Sequence, residues 1–303
     1  MEATECSAVV DQSGRELQQH GSMEFPIACY SDDLTREEVP WHWHDELELA
    51  VVTEGSIEFK AETESIRMRK GDGCFINSGC LHAAFNAADQ AAVRDGAACH
   101  LHSIVFHPRL VGGTDNSVFW ETYIHPLMDN QSMKSLYLNH ETTWQHEIIS
   151  LTESAWRNCT DEPAGYEFSV RDDLSRIVFL LTLNDRGEKR ASAKELRDMN
   201  RMKRMLAYIE ENVSTELDIR RIAECAALSE SECLRCFHMT IGTTPIQYLK
   251  NYRIRKAAEL LRTTDQKIVD IAVECGFQDM SYFAKTFRLM KGCTPTEYRQ
   301  IQR

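Results

Sequence analysis

Two different spacings of apolar residues divide the chain. From about residue 25 to 110, apolar residues recur at every second position between turn residues, as over residues 57–60. This alternation is typical of half-buried strands, and the Lys-Gly-Asp-Gly stretch at 70–73 is a typical turn. Short strands separated by regular turns predict a β-sandwich or barrel in this part of the chain.

From about residue 118 to 183 the apolar spacing changes to three and four, which predicts helices. Residues 184–200 are polar and charged with almost no apolar content, and they predict a linker. Helical spacing then resumes to the C-terminus. We therefore predict an α+β protein with a barrel and its flanking helices at 1–183, a linker at 184–200 and an all-α domain at 201–303.

The predicted all-α part contains a repeat. The apolar pair Ile222-Ala223 recurs 49 residues later as Ile271-Ala272, whereas the remaining identities recur 50 residues later, so one turn has gained or lost a residue. Two copies are too few for a solenoid, and a duplicated small module is the better interpretation. The residues repeated at a spacing of 50 are Ser231, Phe237, Gly242, Thr244, Pro245 and Tyr248, which recur as Ser281, Phe287, Gly292, Thr294, Pro295 and Tyr298.

Each copy predicts two short helices joined by a tight turn, which is a helix-turn-helix. Ser229 and Asp279 are good N-caps for the second helix of each copy. A helix-turn-helix places its second helix in the major groove of DNA. Pro245 is suited to start a helix between the copies. That helix, about 17 residues and 25 Å long, would hold the two motifs about one DNA turn, 34 Å, apart.

From about residue 197 to 303 the chain resembles the DNA-binding domain of the AraC/XylS family of bacterial transcription regulators. The resemblance rests on residues 276–277, 281–283, 287, 292–295 and 298–299. It implies promoter DNA as a partner, with RNA polymerase as a second. A helical bundle whose repeat serves only packing is the alternative. By the same resemblance, the residues that face DNA bases are Ser231, Leu234 and Arg235 in the first copy and Met280, Ser281, Tyr282 and Lys285 in the second.

The net charge of −13 by itself argues against nucleic-acid binding. The charge is unevenly distributed, however: residues 197–303 carry 18 basic and 14 acidic side chains, whereas the rest carries 16 and 33. Glu230 and Glu232 begin the first reading helix, where they act as partners of the helix dipole or accept from a cytosine amino group. The basic residues available to neutralise phosphates are Arg201, Lys203, Arg204, Arg220, Arg221, Lys250, Arg253, Arg255 and Lys256.

The strand region contains a second motif, which combines histidines with glycines. It reads H-x-H-x3-E-x6-G from His42 through His44 and Glu48, followed by a glycine-rich segment that ends in His82 and Asn86. This resembles the cupin fold, a double-sheet jelly roll, except that an asparagine occupies the proline position at 77.

In metal-binding cupins, the positions that match His42, His44, Glu48 and His82 hold a divalent metal. Three imidazoles and a carboxylate suit zinc, nickel, iron, copper or manganese. Three possibilities remain for this chain: a metal site, a metal-free effector pocket, or structural hydrogen bonds. Sugars and related metabolites are common effectors of AraC-type regulators.

Together the two resemblances predict a transcription regulator that is not an enzyme, with an effector-binding barrel and a homodimer formed through the helices that follow it. The alternative is a metal-dependent cupin enzyme, an oxygenase or isomerase, fused to a DNA-binding module.

The sequence also predicts a location. Residues 1–10 do not resemble a secretory signal, and no stretch of 18 apolar residues suggests a membrane span. Eleven cysteines without a disulfide-like framework are typical of a reducing cytoplasm.

Overall fold

The structure is a computed structural model that describes residues 20–36, 38–62, 64–87, 98–185 and 192–301. The N-terminal residues considered for a secretory signal, and residues 186–191 of the expected linker, lie outside this set. The chain divides into two compact units, and the main division along the sequence falls between Leu196 and Arg197. Among the described residues, no helix is both long and apolar enough to cross a bilayer.

The first unit is built on two antiparallel sheets, with strand orders β1-β8-β3-β6-β9 and β2-β7-β4-β5. Val52, Phe59 and Leu101 belong to the apolar core that the strands of both sheets share. The predicted α+β fold class is confirmed. The strands are β1 Ile27–Asp33, β2 Val39–His42, β3 Leu47–Glu54, β4 Ser56–Ala61, β5 Glu64–Arg69, β6 Gly73–Ile76, β7 His82–Asn86, β8 His100–Phe106 and β9 Ser135–Leu138.

Helices cover the outer face of the five-stranded sheet. Leu49 and Ile104 on that face pack in one core with Ile148 and Leu174 of the helices. Because both faces of this sheet are buried, β3 is a nearly continuous apolar run. The helices are α1 Arg109–Gly112, α2 His125–Met128, α3 Thr143–Asp161 and α4 Tyr166–Leu183, with a π-helical turn at Trp120–Ile124.

The segment expected to be helical from 118 to 183 contains a strand. β9 pairs antiparallel with β6 along one edge of the five-stranded sheet. An unpaired edge exposes backbone donors and acceptors, and β9 satisfies those of β6. Four residues are too few for a local pattern to distinguish a strand from a helix.

The second unit is all-helical, as predicted, with Ile254, Leu261, Ile271, Phe283 and Phe287 in one apolar cluster. Its helices, which start just before the unit boundary, are α5 Ala193–Glu211, α6 Ile219–Cys225, α7 Glu230–Thr240, α8 Pro245–Thr263, α9 Ile268–Glu274, α10 Met280–Lys291 and α11 Pro295–Ile301.

The expected linker is shorter than residues 184–200, because α5 already begins at Ala193. The Ser192 backbone N–H donates to Glu195 Oε2 (2.6 Å), and the Glu195 N–H donates to Ser192 Oγ (3.2 Å). This reciprocal pair is a capping box, which stabilises a helix start without apolar residues. The first turns of α5 are exposed and therefore lack the apolar spacing that predicts the other helices.

Candidate functional site

The repeated residues build the same local structure twice. Gly242 and Gly292 follow α7 and α10 with φ of 79° and 76°, a left-handed conformation that favours glycine. The hydroxyls of Thr244 and Thr294 accept from the backbone N–H three residues later, and a proline then opens the next helix. The repeat thus encodes a sharp helix stop followed by a capped helix start.

The repeated aromatic residues join these helices. The Tyr248 ring lies 6.0 Å from the Phe237 ring, and the Tyr298 ring lies 5.4 Å from the Phe287 ring, between centroids. Each tyrosine therefore packs the helix after the motif against the second helix of that motif.

The one-residue difference in spacing between the two copies lies in the turn of the second helix-turn-helix, between α9 and α10. The Leu228 and Phe277 amides, 49 residues apart, both donate to the carbonyl five residues earlier. The N-caps that follow, Ser229 and Asp279, are 50 residues apart. The additional residue is therefore Gln278, which is exposed between α9 and α10.

In the first motif, α7 buries one face and presents the other to solvent. Cys233 and Phe237 are fully buried, whereas Ser231, Leu234 and Arg235 are exposed. The structure places these three predicted contact residues on the open side of the helix, where a DNA groove can be reached.

Glu232 has a capping role. Its carboxylate accepts from the Ser229 backbone N–H (3.0 Å) and from the Ser229 hydroxyl (2.7 Å). These bonds, the backbone one first, lower the pKa of Glu232. With its carboxylate engaged at the helix start, Glu232 fits the helix-partner role rather than cytosine recognition.

In the second motif, Ser281, Tyr282 and Lys285 are exposed on α10. Met280 differs from the expectation, because it is half-buried and packs against the apolar cluster of this unit. It begins α10 directly after the Asp279 cap, so its side chain turns back onto the core. Most of its surface serves packing.

Arg253, one of the basic residues expected to contact phosphate, bonds within its own unit. Its Nε donates to Val213 O (2.9 Å) and its Nη2 to Thr215 O (2.6 Å). Burial lowers the pKa of the guanidinium. Two of its three guanidinium nitrogens therefore bind main-chain carbonyls of its own unit and not phosphate, which a sequence pattern could not reveal.

The first unit brings the four cupin-motif residues together at one end of the barrel. His42 ends β2 directly opposite His82 at the start of β7, and Glu48 lies on β3. His44 follows β2, and all four side chains are buried. One potential ligand atom from each lies within 4.8 Å of the others.

Main-chain carbonyls orient the three imidazoles. The Nδ1 atoms of His42, His44 and His82 lie 2.7, 3.2 and 2.9 Å from the carbonyl oxygens of residues 40, 46 and 80. A carbonyl only accepts, so each Nδ1 is the donor, and Nε2 is the nitrogen that faces the other members of the set. This is how outer-shell partners prepare histidines for metal binding.

Glu48 carries the negative charge of this centre. Its Oε2 lies 3.1 Å from His44 Nε2 and 3.0 Å from His82 Nε2. Burial by itself raises the pKa of Glu48, but the hydrogen bonds and positive charge of His44 and His82 outweigh it and hold the pKa well below its usual range. The donor set fits a divalent metal on its chemistry and geometry, because three imidazoles and a carboxylate place one potential ligand atom each within 4.8 Å of the others.

A small cavity adjoins this centre between the two sheets. Its volume is about 20 Å³, room for roughly one water molecule or an ion. Asp32 and Ser103 line it beside His42, Glu48 and His82. The sequence gives no signal for Asp32 and Ser103, because the same strands contain other polar residues.

The asparagine at the cupin proline position has a structural role. Asn77 is fully buried, and its Nδ2 donates to Leu127 O (2.7 Å) and Met133 O (2.9 Å). It thus ties the end of β6 to the segment around α2, a function that proline lacks the donors to perform.

Family models match both units. Residues 24–145 match the AraC-like ligand-binding domain, and residues 222–301 match a helix-turn-helix domain. Among curated proteins, the uncharacterized HTH-type transcriptional regulator YdeC of Bacillus subtilis (strain 168) is 28% identical, with 97% of this chain and 98% of YdeC covered. The transcriptional activator RhaR of Mannheimia succiniciproducens is 25% identical over 86% and 87% of the two chains. The melibiose operon regulatory protein of Escherichia coli K12 is 24% identical over 91% of each.

Solved structures are similar as well. An AraC-type DNA-binding-domain regulator from Chromobacterium violaceum is 29% identical, with a TM-score of 0.33 and coverage of 34% of this chain and 91% of that one. ToxT from Vibrio cholerae O395 is 12% identical, with a TM-score of 0.46 and coverage of 91% and 98%.

Proposed function

Because the chain belongs to the AraC family of transcriptional regulators, we propose that it reads promoter DNA with α7 and α10 as paired recognition helices. The observation that carries this proposal is the repeat: two motifs with the same caps and aromatic contacts, each with an open second-helix face. The basic excess after residue 197 supports binding to the phosphate backbone.

Individual base contacts follow from the exposed side chains. Arg235 and Lys285 are suited to guanine edges, and Ser231 and Ser281 can reach several bases. Leu234 and Tyr282 offer apolar surface to the bases, and the half-buried Met280 offers less. The contact residues of the two helix-turn-helix motifs therefore differ in chemistry. Each motif should bind a different short base sequence, here called a half-motif, within one operator.

Substitution of the two basic residues tests this assignment. A duplex is first selected from a random-sequence pool by the parent protein. Arg235→Ala and Lys285→Ala should each weaken binding to it by about 1–3 kcal/mol and relax the preference at one base pair, as measured by fluorescence anisotropy. Arg171→Ala, an exposed charge on α4, is the control and should bind like the parent. Parent-like binding by both α7 and α10 variants would show that the assigned contacts are wrong.

For the first unit we propose an effector site at His42, His44, Glu48 and His82, with a divalent cation held by these residues. A bound cation would supply a Lewis-acidic anchor for a ligand. The donor set supports this proposal, since three oriented imidazoles and an ionised carboxylate converge there. The cavity matches an ion in size, whereas a carbohydrate requires the barrel to widen. Ligand binding regulates DNA binding only if the ligand prefers one of two states of the protein.

We further propose that the protein is a cytoplasmic homodimer that contacts RNA polymerase. Exposed apolar side chains on α4, Phe168 and Leu183 among them, support a protein–protein contact through this helix. The curated relatives compared above are transcriptional regulators, so we propose regulation rather than catalysis.

A further inference from the structure

The middle of α8 is connected to the loop that leads into the first helix-turn-helix. Arg253 lies near the centre of α8, and two of its guanidinium nitrogens donate to the Val213 and Thr215 carbonyls. Thr215 lies four residues before the first helix of that motif, α6. Because backbone carbonyls are the acceptors, these bonds hold the path of the chain rather than the orientation of a side chain.

The same region contacts the turn of the second helix-turn-helix. The Arg253 guanidinium carbon lies 6.0 Å from the centre of the Phe277 ring. A Cβ at Gly276 would lie 2.3 Å from Val213 O and 2.8 Å from Arg253 Nη2. Glycine is therefore required at 276 for close approach as well as for its φ of 79°. The loop before the first motif thus lies directly against the turn of the second.

The second motif is packed against α8, because the apolar cluster of this unit contains residues of α8 and of both helices of that motif. A connection from this packed pair to the loop before α6 restrains the first motif relative to the second. In the described residues, Arg253 contacts Val213 and Thr215 on one side and Gly276 and Phe277 on the other, and it therefore provides such a connection.

We propose that Arg253 is a positioning residue that joins the two helix-turn-helix motifs into one rigid reader, so that only operators with a single half-motif spacing are bound tightly. This inference rests on the proposed DNA-binding function. It assigns Arg253 to the spacing of the operator and not to contact with DNA.

The test compares Arg253→Lys and Arg253→Gln with the parent on designed duplexes. The first duplex is the one that the parent selects from a random pool, and the others carry one or two extra base pairs between its half-motifs. Each added base pair moves and rotates one half-motif relative to the other. The parent should lose about tenfold or more in affinity per insertion, the range of a lost base contact.

The Arg253 variants should bind the selected duplex more weakly and lose most of this discrimination between spacings. Their slope of log affinity against log salt should equal that of the parent, because no phosphate contact is removed. Lys250→Met, on the same helix, is the control: it should keep the spacing preference of the parent and, if it removes a phosphate contact, lower the salt slope by about one.

Three results would overturn the inference: an unchanged spacing preference in both Arg253 variants, a salt slope lowered by about one as for a phosphate contact, or loss of cooperative melting in both, which would make the contact a determinant of folding alone. A parent protein that selects no sequence from the pool would instead contradict the proposed function itself.

Discussion

At the scale of single residues, the proton on Nδ1 of each imidazole determines which nitrogen faces the proposed binding site in the barrel. Each imidazole of the His42, His44 and His82 set donates its Nδ1 proton to a backbone carbonyl. The opposite nitrogens then face the Glu48 carboxylate, and those of His44 and His82 lie 3.1 and 3.0 Å from its Oε2. Positive charge, from a proton on an imidazole or from a bound cation, stabilises this buried carboxylate.

Removal of the carboxylate charge should therefore weaken metal binding. Glu48→Gln keeps the size of the side chain but should lower the affinity for Zn²⁺ by at least about 100-fold, at the upper end of the effect of outer-shell changes. Isothermal titration of the metal-free protein with Zn²⁺ and Ni²⁺ measures this. His125→Gln, an exposed histidine on α2, should titrate like the parent. Equal affinity in Glu48→Gln would rule out a metal at this centre.

At the scale of elements, reciprocal caps determine where helices start. Ser229 with Glu232 opens α7, and Thr294 with Glu297 opens α11 in the same way. A cap satisfies backbone donors that a helix start leaves without partners. The proposed recognition helix α7 therefore has a defined first turn, which contains the exposed Ser231.

Loss of this cap should destabilise the second unit. Ser229→Ala should lower the free energy of unfolding by about 1 kcal/mol. The chain has no tryptophan after Trp156, so tryptophan fluorescence reports on the first unit and circular dichroism at 222 nm reports on both. Only the dichroism midpoint in urea should move, and a shift in the fluorescence midpoint alone would contradict the assignment.

The Glu232 carboxylate adds a pH dependence to the same cap. Its pKa is lowered in the folded state, so its contribution to stability is present above the unfolded pKa of about 4.3. The contribution disappears as the pH falls through the folded value. Glu232→Gln should consequently be less stable than the parent at pH 7, with a difference that shrinks below about pH 4. A difference that grows on acidification would contradict this cap.

At the scale of the whole molecule, exposed apolar surface suggests how copies associate. Phe168, Phe179 and Leu183 lie along one side of α4, and Phe168 is 82% exposed. Single exposed apolar residues are ordinary, but a row on one helix is typical of a protein–protein contact.

If this row forms the proposed homodimer, a charge within it should separate the copies. Phe168→Glu and Leu183→Glu should convert the parent dimer to a monomer at micromolar concentration, as shown by size-exclusion chromatography with light scattering. Leu289→Glu, at an equally exposed apolar residue of α10, should leave the mass unchanged. A monomeric parent would remove the dimer from the proposal.

The predictions that the structure confirms depend on contacts between residues that are close in sequence. Ser229 and Asp279 act within a few residues of their own positions, so their roles as caps could be predicted. The contacts that could not be predicted join distant partners. Arg253 bonds to carbonyls about 40 residues away, which no local pattern shows.

Periodicity and repetition in the sequence determined the two-part α+β organisation and the duplicated helix-turn-helix, and the resemblance to the cupin motif supplied the residues of the His–Glu set. Tertiary structure decided which nitrogens of the histidines face the centre, that β9 completes a sheet, that Met280 turns toward the core and that Arg253 faces inward. These features depend on contacts between segments far apart in sequence, and such contacts exist only once the chain has folded.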